Sequence, residues 1–521
     1  MTTGLQAAAR RLALGVRAGG GRTGPAIVWM RVEVDAVRIT HPVGVEVDLE
    51  PDFFDAKSAL LDLLPVPSAG RPLVVELVVH ESGRFELAFS SALESESRVV
   101  LDDEFRFPGH PLPGMALPAA ARHTGEPTDP AVLAEISALF QEFVARYQEI
   151  KGRPPALRPG YSEREIAAAE AELGARLPED LRALYRMTRD DAAETGLLGR
   201  YSPYPLDHVV EYHQPGSLGW NDGPFDDAVV FESEPPDTIK RLSRNDWWIT
   251  FATDFAMNNL AVDLDPAEHG RPGQIFEYGR DVHGPPDYYA ESVTEVLTGV
   301  VEALREGDYE DEDPESDYLQ TCTGLGGAGF DERVHHDFGN RDPAEIAELD
   351  GDAQLISIND AVDLDLAALT PLRNLRELRI NRAKLVVPAL SGLPALESVS
   401  IEAERIDLHA LADQPTIWDL KLTGAAERLD VAVLRTLPVL TRLDLSEVEV
   451  EDVAPIADLP GLRVLVLNAA QWADLRRMGL RPPNLAAAER VGTGSLRETA
   501  DWAEWLTGNP VPLNTTSGTT R

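Results

Sequence analysis

The chain has 521 residues and a mass of 56.8 kDa, enough for three or four domains with their own cores, which excludes a small disulfide scaffold. Hydrophobic residues make up 43% and charged residues 26%, as in soluble globular proteins, so wholesale disorder is not expected. With 47 basic against 88 acidic residues the net charge is −41, which disfavours nucleic acid and anionic membranes and favours a basic partner. An acidic surface that serves only solubility or salt adaptation is the alternative interpretation.

Cysteine and hydropathy bear on the cellular compartment. Cys322 stands alone in the sequence, so neither an internal disulfide nor a thiolate metal cluster can form. No apolar run reaches the roughly 18 residues that a membrane-spanning helix requires. The sequence therefore predicts a cytoplasmic protein with no membrane partner. Residues 1–27 lack the apolar core of a signal peptide and are expected to be a disordered tail, with Met30 as an alternative translation start.

Residues 28–152 are predicted to form a β-rich α+β unit of unnamed fold. Apolar residues alternate with polar ones in four segments, and this period of two indicates strands. The four segments are residues 28–34, 43–49, 73–79 and 85–89. Apolar residues at helical spacing over 132–150 predict a helix of about six turns, which we expect to cover the sheet.

Residues 158–306 begin with two short helices. Ser162 and Glu165 form an S-x-x-E capping pair, Gly174 ends the first helix, and Pro178 suits the first turn of the second. Strand material and a glycine-rich turn follow, and a last helix closes the segment. The ordered strings are E-I-A-A-A-E-A-E-L-G-A-R-L-P-E-D-L-R-A-L-Y at 165–185, L-A-V-D-L-D-P at 260–266, G-R-P-G-Q-I-F-E-Y-G at 270–279 and A-E-S-V-T-E-V-L at 290–297.

In this order the strings resemble the SUKH superfamily, which groups bacterial immunity proteins with fungal regulators of cell-wall assembly. The resemblance covers under a third of the chain and implies an α+β domain that binds proteins and has no chemistry of its own. The chain departs from the family pattern in two places. Residues 186–190 stand where the family has Asn-Gly after the second helix. Residues 255–259 stand where it has a glycine-rich segment before the aspartate strand, which is L-A-V-D-L-D-P here.

Aromatic and acidic residues of this segment are the candidate contacts. Trp220, Trp247 and Trp248 are candidates because tryptophan is enriched at interface hot spots. Asp254 is a fourth candidate for contact with a protein. Together with Asp263 and Asp265 it could suggest a metal site. We expect no metal, because no histidine or further carboxylate stands at ligand spacing.

Residues 307–350 are predicted to be an acidic linker and the entry to a repeat region. The linker is rich in Asp and Glu with few apolar residues, which is typical of a solvated connector. The string at 324–329 matches G-x-G-x-x-G, but no strand precedes it and no amphipathic helix follows it, so no dinucleotide cofactor is expected. The adjacent pair His335 and His336 would point to opposite faces of an extended chain and cannot readily bind one ion.

Residues 351–475 repeat an apolar-x-x-apolar-x-apolar core six times. The repeats start 22, 21, 21, 23 and 22 residues apart, which predicts a leucine-rich-repeat α/β solenoid. A C-terminal cap is expected over 476–507, and a disordered tail over 508–521. The usual repeat asparagine is absent, so the turns are expected to be less regular.

Alternation along each repeat strand predicts an outward concave face of mixed charge, which suits a protein partner. A merely soluble sheet face is the alternative. The candidate contacts of this face are Glu377, Arg379, Asn381, Glu402, Asp419, Lys421, Arg442 and Asp444.

The sequence thus predicts a multi-domain α+β protein that binds proteins and is not an enzyme. It has no G-x-S-x-G elbow, P-loop, H-E-x-x-H motif or paired catalytic carboxylates, and its histidines are scattered. Two functions follow from the resemblance. In the first, a SUKH-type immunity protein neutralises a basic toxin domain by direct binding. In the second, an intracellular scaffold or regulator binds several proteins through its SUKH-like and repeat domains, with cell-wall assembly as one setting.

Overall fold

The structure is a computed structural model that describes residues 2–520 apart from short gaps. The gaps are residues 19–24, 34–36, 41–44, 48–50, 66–71, 214–222, 226–227, 283, 312, 314, 327–334, 340–348, 350, 361–362, 388–389, 391 and 493. The described residues mix helix and sheet in several sheets and form an N-terminal domain, a middle domain and a C-terminal array of parallel strands.

The N-terminal domain is a five-stranded antiparallel sheet covered by two helices. In sheet order its strands are Asn514–Thr519, Arg84–Ser90, Leu73–Val79, Ala26–Val32 and Val37–Thr40. The helices are Thr2–Leu14 and Pro51–Leu61, and a small ladder pairs Val16–Ala18 with Val45–Val47. Leu12, Met30, Leu60, Leu77 and Phe85 are fully buried between these layers.

Both ends of the chain differ from the disordered tails expected at 1–27 and 508–521. Thr2–Leu14 is a helix whose Ala9, Leu12 and Ala13 are buried, because these residues form one apolar stripe at helical spacing. Asn514–Thr519 is an edge strand on Arg84–Ser90, and the Gln6 side chain donates to the carbonyl of Ser517 at 2.6 Å. The two ends therefore close one domain.

The middle domain packs helices against one face of a five-stranded antiparallel sheet. In sheet order the strands are Asp287–Ala290, Gln274–Gly279, Asn258–Asp263, Trp248–Thr253 and Ser202–Pro203. The helices are Pro130–Lys151, Glu163–Leu173, Glu179–Met187, Leu206–Tyr212 and Val293–Glu306. The expected capping pair is present: Ser162 Oγ accepts from the Glu165 N–H, and the Glu165 carboxylate accepts from the Ser162 N–H.

The sequence predicted that the helix Pro130–Lys151 would cover the N-terminal sheet, and this prediction was wrong. Its Ile136, Phe143 and Tyr147 are buried in the core of the middle domain. Helical spacing identifies an apolar stripe but not the surface that the stripe meets, so the expected boundary at residue 152 fell on the wrong side of this helix.

The first part of the expected solvated linker is folded onto the end of this helix. Strands Tyr309–Glu310 and Gln320–Thr321 form a small hairpin, and Leu319 is buried. The ammonium group of Lys151 is fully buried and pairs with Asp311, which lies among the acidic residues of the linker. The sequence did not predict this packing, because the acidic run has no apolar pattern and the buried Lys151 that pairs with it lies on a helix distant in sequence.

The C-terminal array is a parallel sheet to which each predicted repeat core contributes one strand. The parallel strands are His335–Gly339, Leu355–Asn359, Glu377–Val387, Ser398–Ile406, Asp419–Thr423, Arg442–Glu447, Val464–Asn468 and Ala487–Val491, with Asp363–Asp365 beside Glu377–Val387. Inward-pointing residues such as Leu378 and Ile380 are fully buried. The sheet extends past the expected limits at 351 and 475, and Arg98–Val100 pairs antiparallel with its last strand.

Short helices lie between the array strands. They are Leu366–Leu369, Leu408–Leu411, Val431–Thr436, Ala454–Ala457 and Ala469–Met478, followed by Leu496–Thr507. In the last two of these helices, Trp472 packs against Trp502 and Trp505, with ring centroids 5.4 and 6.3 Å apart, and this aromatic cluster closes the end of the array.

Some features of the sequence meet gaps in the description. Residues 327–329 of the glycine string lie outside the described residues. Among the helices that are described, none combines the length and apolar character needed to cross a bilayer. Within the same described part of the chain, no group of three or more His, Cys, Asp or Glu side chains is placed to hold a metal ion.

Candidate functional site

The hairpin between strands Trp248–Thr253 and Asn258–Asp263 presents two large apolar side chains to solvent. Phe255 is 59% exposed and Met257 is 67% exposed. Their φ angles are +58° and +78°, in the left-handed region that favours glycine. Two large apolar side chains are therefore exposed on a turn whose backbone is strained at both positions.

A carboxylate holds this strained turn in place. Asp254 Oδ1 accepts from the backbone N–H groups of Ala256 at 2.7 Å and Asn258 at 2.9 Å. The Asn258 side chain donates to Asp254 Oδ2 at 2.7 Å and to Asp281 Oδ2 at 3.0 Å. These hydrogen bonds hold the turn in one conformation.

The neighbouring loop is fastened to the same turn at Gly279. A Cβ at this position would lie 2.4 Å from the Met257 carbonyl oxygen and 2.5 Å from Asn258 Cα, so only glycine fits. The Asp281 N–H donates to Asn258 Oδ1 at 2.9 Å. The hairpin and the loop therefore present one preformed edge.

Three stacked rings lie at the base of the hairpin. Centroids of Tyr204 and His208 are 4.3 Å apart, and those of His208 and Tyr212 are 5.0 Å apart. The Tyr204 hydroxyl donates to Asn259 Oδ1 at 3.3 Å, and burial raises the pKa of Tyr204 to about 12. The three rings are half-buried. Phe255, Met257 and these three rings are called the hairpin surface below.

Two of the three tryptophans expected as contacts are described, and both are engaged within the chain. Trp220 falls outside the described residues. Trp247 is half-buried and donates to the carbonyl of Ala116 at 2.9 Å. Trp248 is half-buried and packs edge-on against Phe276 with centroids 5.1 Å apart. Of the three candidates of this domain that the structure describes, Asp254 is the one that lies in the turn carrying Phe255 and Met257.

The second candidate surface is the concave face of the array, whose starting edge is partly covered by the chain itself. The residue before each strand and the first outward residue of the strand are together called the rim. The rim residues before the strands are Gln354, Arg376, Glu397, Trp418, Thr441, Arg463 and Ala486, and the first outward residues are Leu355, Glu377, Ser398, Asp419, Arg442, Val464 and Ala487. Val464 and Ala487 are completely buried, and Leu355 and Trp418 are 4% exposed.

Aromatic residues from the segment before the middle domain cover the centre of the rim. Phe107 stacks on Trp418 with centroids 4.8 Å apart and 26° between the planes. The guanidinium of Arg442 lies 4.8 Å from the Phe107 centroid, and that of Arg463 lies 4.5 Å from the Phe105 centroid. Such contacts are attractive because a cation meets the negative face of a ring.

Several predicted concave residues are engaged within this covered edge. Glu377 is 8% exposed and accepts from Arg379 Nε at 2.6 Å. Asp419 accepts from Arg442 Nε at 2.7 Å and from the Ser398 hydroxyl at 2.7 Å. These ion pairs neutralise charges that the sequence predicted to be available to a partner.

The remaining predicted residues lie further along the strands and are more accessible. The side chains of Arg379 and Lys421 are 45% and 49% exposed. Lys421 Nζ lies 3.7 Å from Asp444, and Asn381 donates to Asn359 at 2.8 Å. Glu402 is half-buried. The concave face is therefore covered at its rim. It is accessible at the outward residues further along the strands, which are called its later, open rows below.

The main residues that sequence reasoning missed are Phe255 and Met257 on the hairpin and Phe105 and Phe107 on the rim. A signal existed for the first pair, because both residues stand where the SUKH pattern has a glycine-rich segment. No local signal marked the second pair, since Phe107 meets Trp418 across 311 residues of sequence.

Comparison with known proteins confirms the resemblance of the middle domain. Residues 160–299 match the SMI1 / KNR4 family (SUKH-1). Over 134 residues the chain is 30% identical to the protein named "Cell wall biosynthesis/cell cycle regulator smi1" of Schizosaccharomyces pombe, an alignment covering 23% of this chain and 27% of that protein.

Two further relatives match over shorter stretches. The chain is 34% identical over 79 residues to "KNR4/SMI1 homolog 2" of Debaryomyces hansenii, covering 15% of this chain and 13% of that protein. It is 39% identical over 76 residues to a "Glucan synthesis regulatory protein" of Neurospora crassa, covering 15% and 14%. The chain thus spans about a quarter or less of each of these relatives.

Among solved structures, an internalin (inlF) of Listeria monocytogenes is similar at 27% identity and a TM-score of 0.21, covering 24% of this chain and 39% of that chain.

Proposed function

We propose that this protein is a non-catalytic regulator that acts by binding another protein through its SMI1/KNR4-like domain. The observation that carries the proposal is the exposed pair Phe255 and Met257 on a strained turn that hydrogen bonds hold in shape. Large apolar side chains in a preformed arrangement are typical of interface hot spots. A family relationship over residues 160–299, with relatives named as regulators, supports the same interpretation.

The array has a supporting role in this proposal. We infer that it is a leucine-rich-repeat solenoid, from the regular spacing of its cores and its parallel strands. Because the rim is covered by the chain's own residues, the array fixes the middle domain and leaves its later concave rows for any second partner. We place the action of the protein in the cytoplasm.

Toxin neutralisation is the second candidate function. Residues 160–299 contain 27 acidic and 11 basic residues, a net charge of −16, and the whole chain has −41. Such a field accelerates association with a basic protein and makes binding sensitive to salt. A dedicated inhibitor of a basic toxin domain would use this charge, and a regulator with plural partners needs it less.

Site-specific photo-crosslinking tests both candidates. Phe255 is replaced by p-benzoylphenylalanine in the full chain, and irradiation in the native cell is followed by mass spectrometry of the adducts. The matched control carries the same group at Val439, an apolar residue of the array that is 41% exposed.

The proposal expects adducts at position 255 that are absent at position 439. A set of cellular proteins would support the regulator, and one dominant basic protein whose adduct is lost at high salt would support toxin neutralisation. Equal adduct patterns at the two positions, or none at 255, would contradict protein binding through the hairpin surface.

A further inference from the structure

The rim of the array carries a second set of contacts, made by residues 228–232 of the middle domain. This segment has no helix or strand, yet its burial alternates: Val229 and Phe231 are 6% and 9% exposed, while Ala228 is exposed and Val230 is half-buried. Val229 and Phe231 belong to one apolar cluster with Leu355, Trp418, Val464 and Ala487 of the rim and with Phe107.

Gln354 of the rim binds the backbone of this segment at two points. The Glu232 N–H donates to Gln354 Oε1 at 2.8 Å, and Gln354 Nε2 donates to the Glu232 carbonyl at 3.0 Å. A side-chain amide that pairs with both backbone groups of one residue recognises a peptide without regard to its side chains. The Gln354 amide is therefore a backbone clamp.

Arg376 of the rim recognises the charge of the same residue. Its Nη2 donates to Glu232 Oε2 at 2.9 Å, and its Nη1 donates to Glu397 Oε1 at 2.8 Å. Glu397 also accepts from Arg241 at 2.6 Å, and Arg241 donates to the Val230 carbonyl at 3.1 Å. Glu397 thus holds two guanidinium groups in position, one for a carboxylate and one for a backbone carbonyl.

The adjoining chain is shaped to let the segment lie close to the rim. Gly109 has φ +84°, and a Cβ there would lie 2.9 Å from Val230 Cγ2. The His110 imidazole Nε2 lies 2.7 Å from the Ala228 carbonyl oxygen, which is hydrogen-bonding distance. Backbone clamp, carboxylate pair and two apolar side chains together make the contact set by which an extended peptide is recognised.

We propose that the rim is a peptide-binding site that the chain's own segment occupies. Its ligands are segments of other proteins with an apolar residue, any residue, a second apolar residue and then a carboxylate, the order of Val229 to Glu232. The native segment competes with such a ligand, because its covalent connection gives it a high effective concentration. This inference does not depend on the hairpin surface.

The test uses a fluorescein-labelled peptide, Ala-Val-Val-Phe-Glu-Ser-Glu, which copies residues 228–234. Fluorescence anisotropy measures its binding to the full wild-type chain and to the full chain carrying Val229→Ser and Phe231→Ser. We expect the double variant to bind the peptide at least tenfold more tightly than the wild type. Adding Arg376→Ala to the variant should weaken binding at least tenfold, and a scrambled peptide should not bind.

A folded double variant that does not bind the peptide, or that binds the scrambled peptide equally well, would overturn the proposal. Circular dichroism and the thermal midpoint establish whether the variant is folded. Should it unfold, Glu232→Ala replaces it, since this change removes the Arg376 contact and leaves both apolar side chains in place. Peptide affinity above the wild type is then expected, and affinity equal to the wild type would contradict the inference.

Discussion

The hairpin surface and the rim are both rich in aromatic and apolar side chains, but they differ in what covers them. Phe255 and Met257 extend into solvent on a turn that a carboxylate network holds, whereas Trp418 and Val464 are buried under Phe107 and other residues of the same chain. Two surfaces of similar composition therefore have different availability. Intramolecular packing decides which one a partner can reach, and composition alone does not.

The largest expected effect comes from opening the rim at its centre. Trp418→Ala removes the stack on Phe107 and the indole N–H donation to Glu397 Oε2 at 3.1 Å, and it leaves a large cavity. We expect a loss of about 3–5 kcal/mol in the free energy of unfolding, measured by chemical denaturation. Val439→Ala on the same array is the control, because Val439 is 41% exposed and should tolerate the change. Equal midpoints for the two variants would show that the rim is not covered.

The second prediction concerns Asp263, at the end of the two hairpin strands that lies away from the turn. Asp263 ends the strand that follows the turn, and its carboxylate is buried with Gln274 Nε2 at 3.0 Å. Burial raises the pKa of Asp263 to about 6 from an ordinary value of 3.8. The folded state therefore holds the proton more tightly than the unfolded state, so this group's contribution favours folding below pH 4 and is lost as the pH rises to 6.

Asp263→Asn removes that titration. The stability of the wild type relative to this variant should fall by roughly 2 kcal/mol between pH 4 and pH 6.5. Denaturation at a series of pH values checks the slope. Parallel profiles for the two proteins would mean that Asp263 is not buried as described.

Neighbouring cations of the array provide a third test. Arg442 is largely covered and contacts Asp419, Phe107 and Trp418, whereas Lys421 in the adjacent strand is 49% exposed. Arg442→Ala should lower the free energy of unfolding by about 2 kcal/mol, since it leaves Asp419 without its cationic partner, and Lys421→Ala should leave the unfolding midpoint unchanged. A similar response from both residues would contradict the division of the concave face into a closed rim and open rows.

The smallest expected effect is a small increase, or no change, in the free energy of unfolding. It separates stability from binding. The variant Phe255→Gly with Met257→Gly relieves two left-handed residues and removes side chains that are mostly exposed. We expect the free energy of unfolding to stay equal or rise by about 1 kcal/mol, while capture of the partner by the full chain is lost. Destabilisation of the variant would show that these side chains serve packing within the domain.

Local patterns predicted much of this architecture. The capping pair Ser162 and Glu165, the aspartate strand and the spacing of the repeat cores are set by short-range chemistry, so the middle domain and the strand array could be predicted from the sequence. The helix Pro130–Lys151 was predicted as an element but assigned to the wrong sheet. Amphipathic spacing predicts that one face of a helix is buried, but it does not predict which surface that face packs against.

The candidate sites were harder to predict, because they depend on contacts between distant residues. Arg442 and Asp419 look like free charges in the sequence, yet the chain brings Phe107 and Trp418 over them. Asp254 was selected as a partner contact, and its observed contacts instead hold the turn that displays Phe255 and Met257. Strain at those two positions is visible only in backbone angles, although the replacement of glycines was a signal in the sequence.

The most direct test of the central claim, that the hairpin is open and the rim is closed, is thiol labelling of the native chain. Cys322 is replaced by Ser, and a single cysteine is introduced at position 255 or at position 229. Labelling at 255 should proceed at nearly the rate of an unfolded peptide, and labelling at 229 should be at least a hundredfold slower. Comparable rates at the two positions would contradict the account, because the rim would then be as accessible as the hairpin.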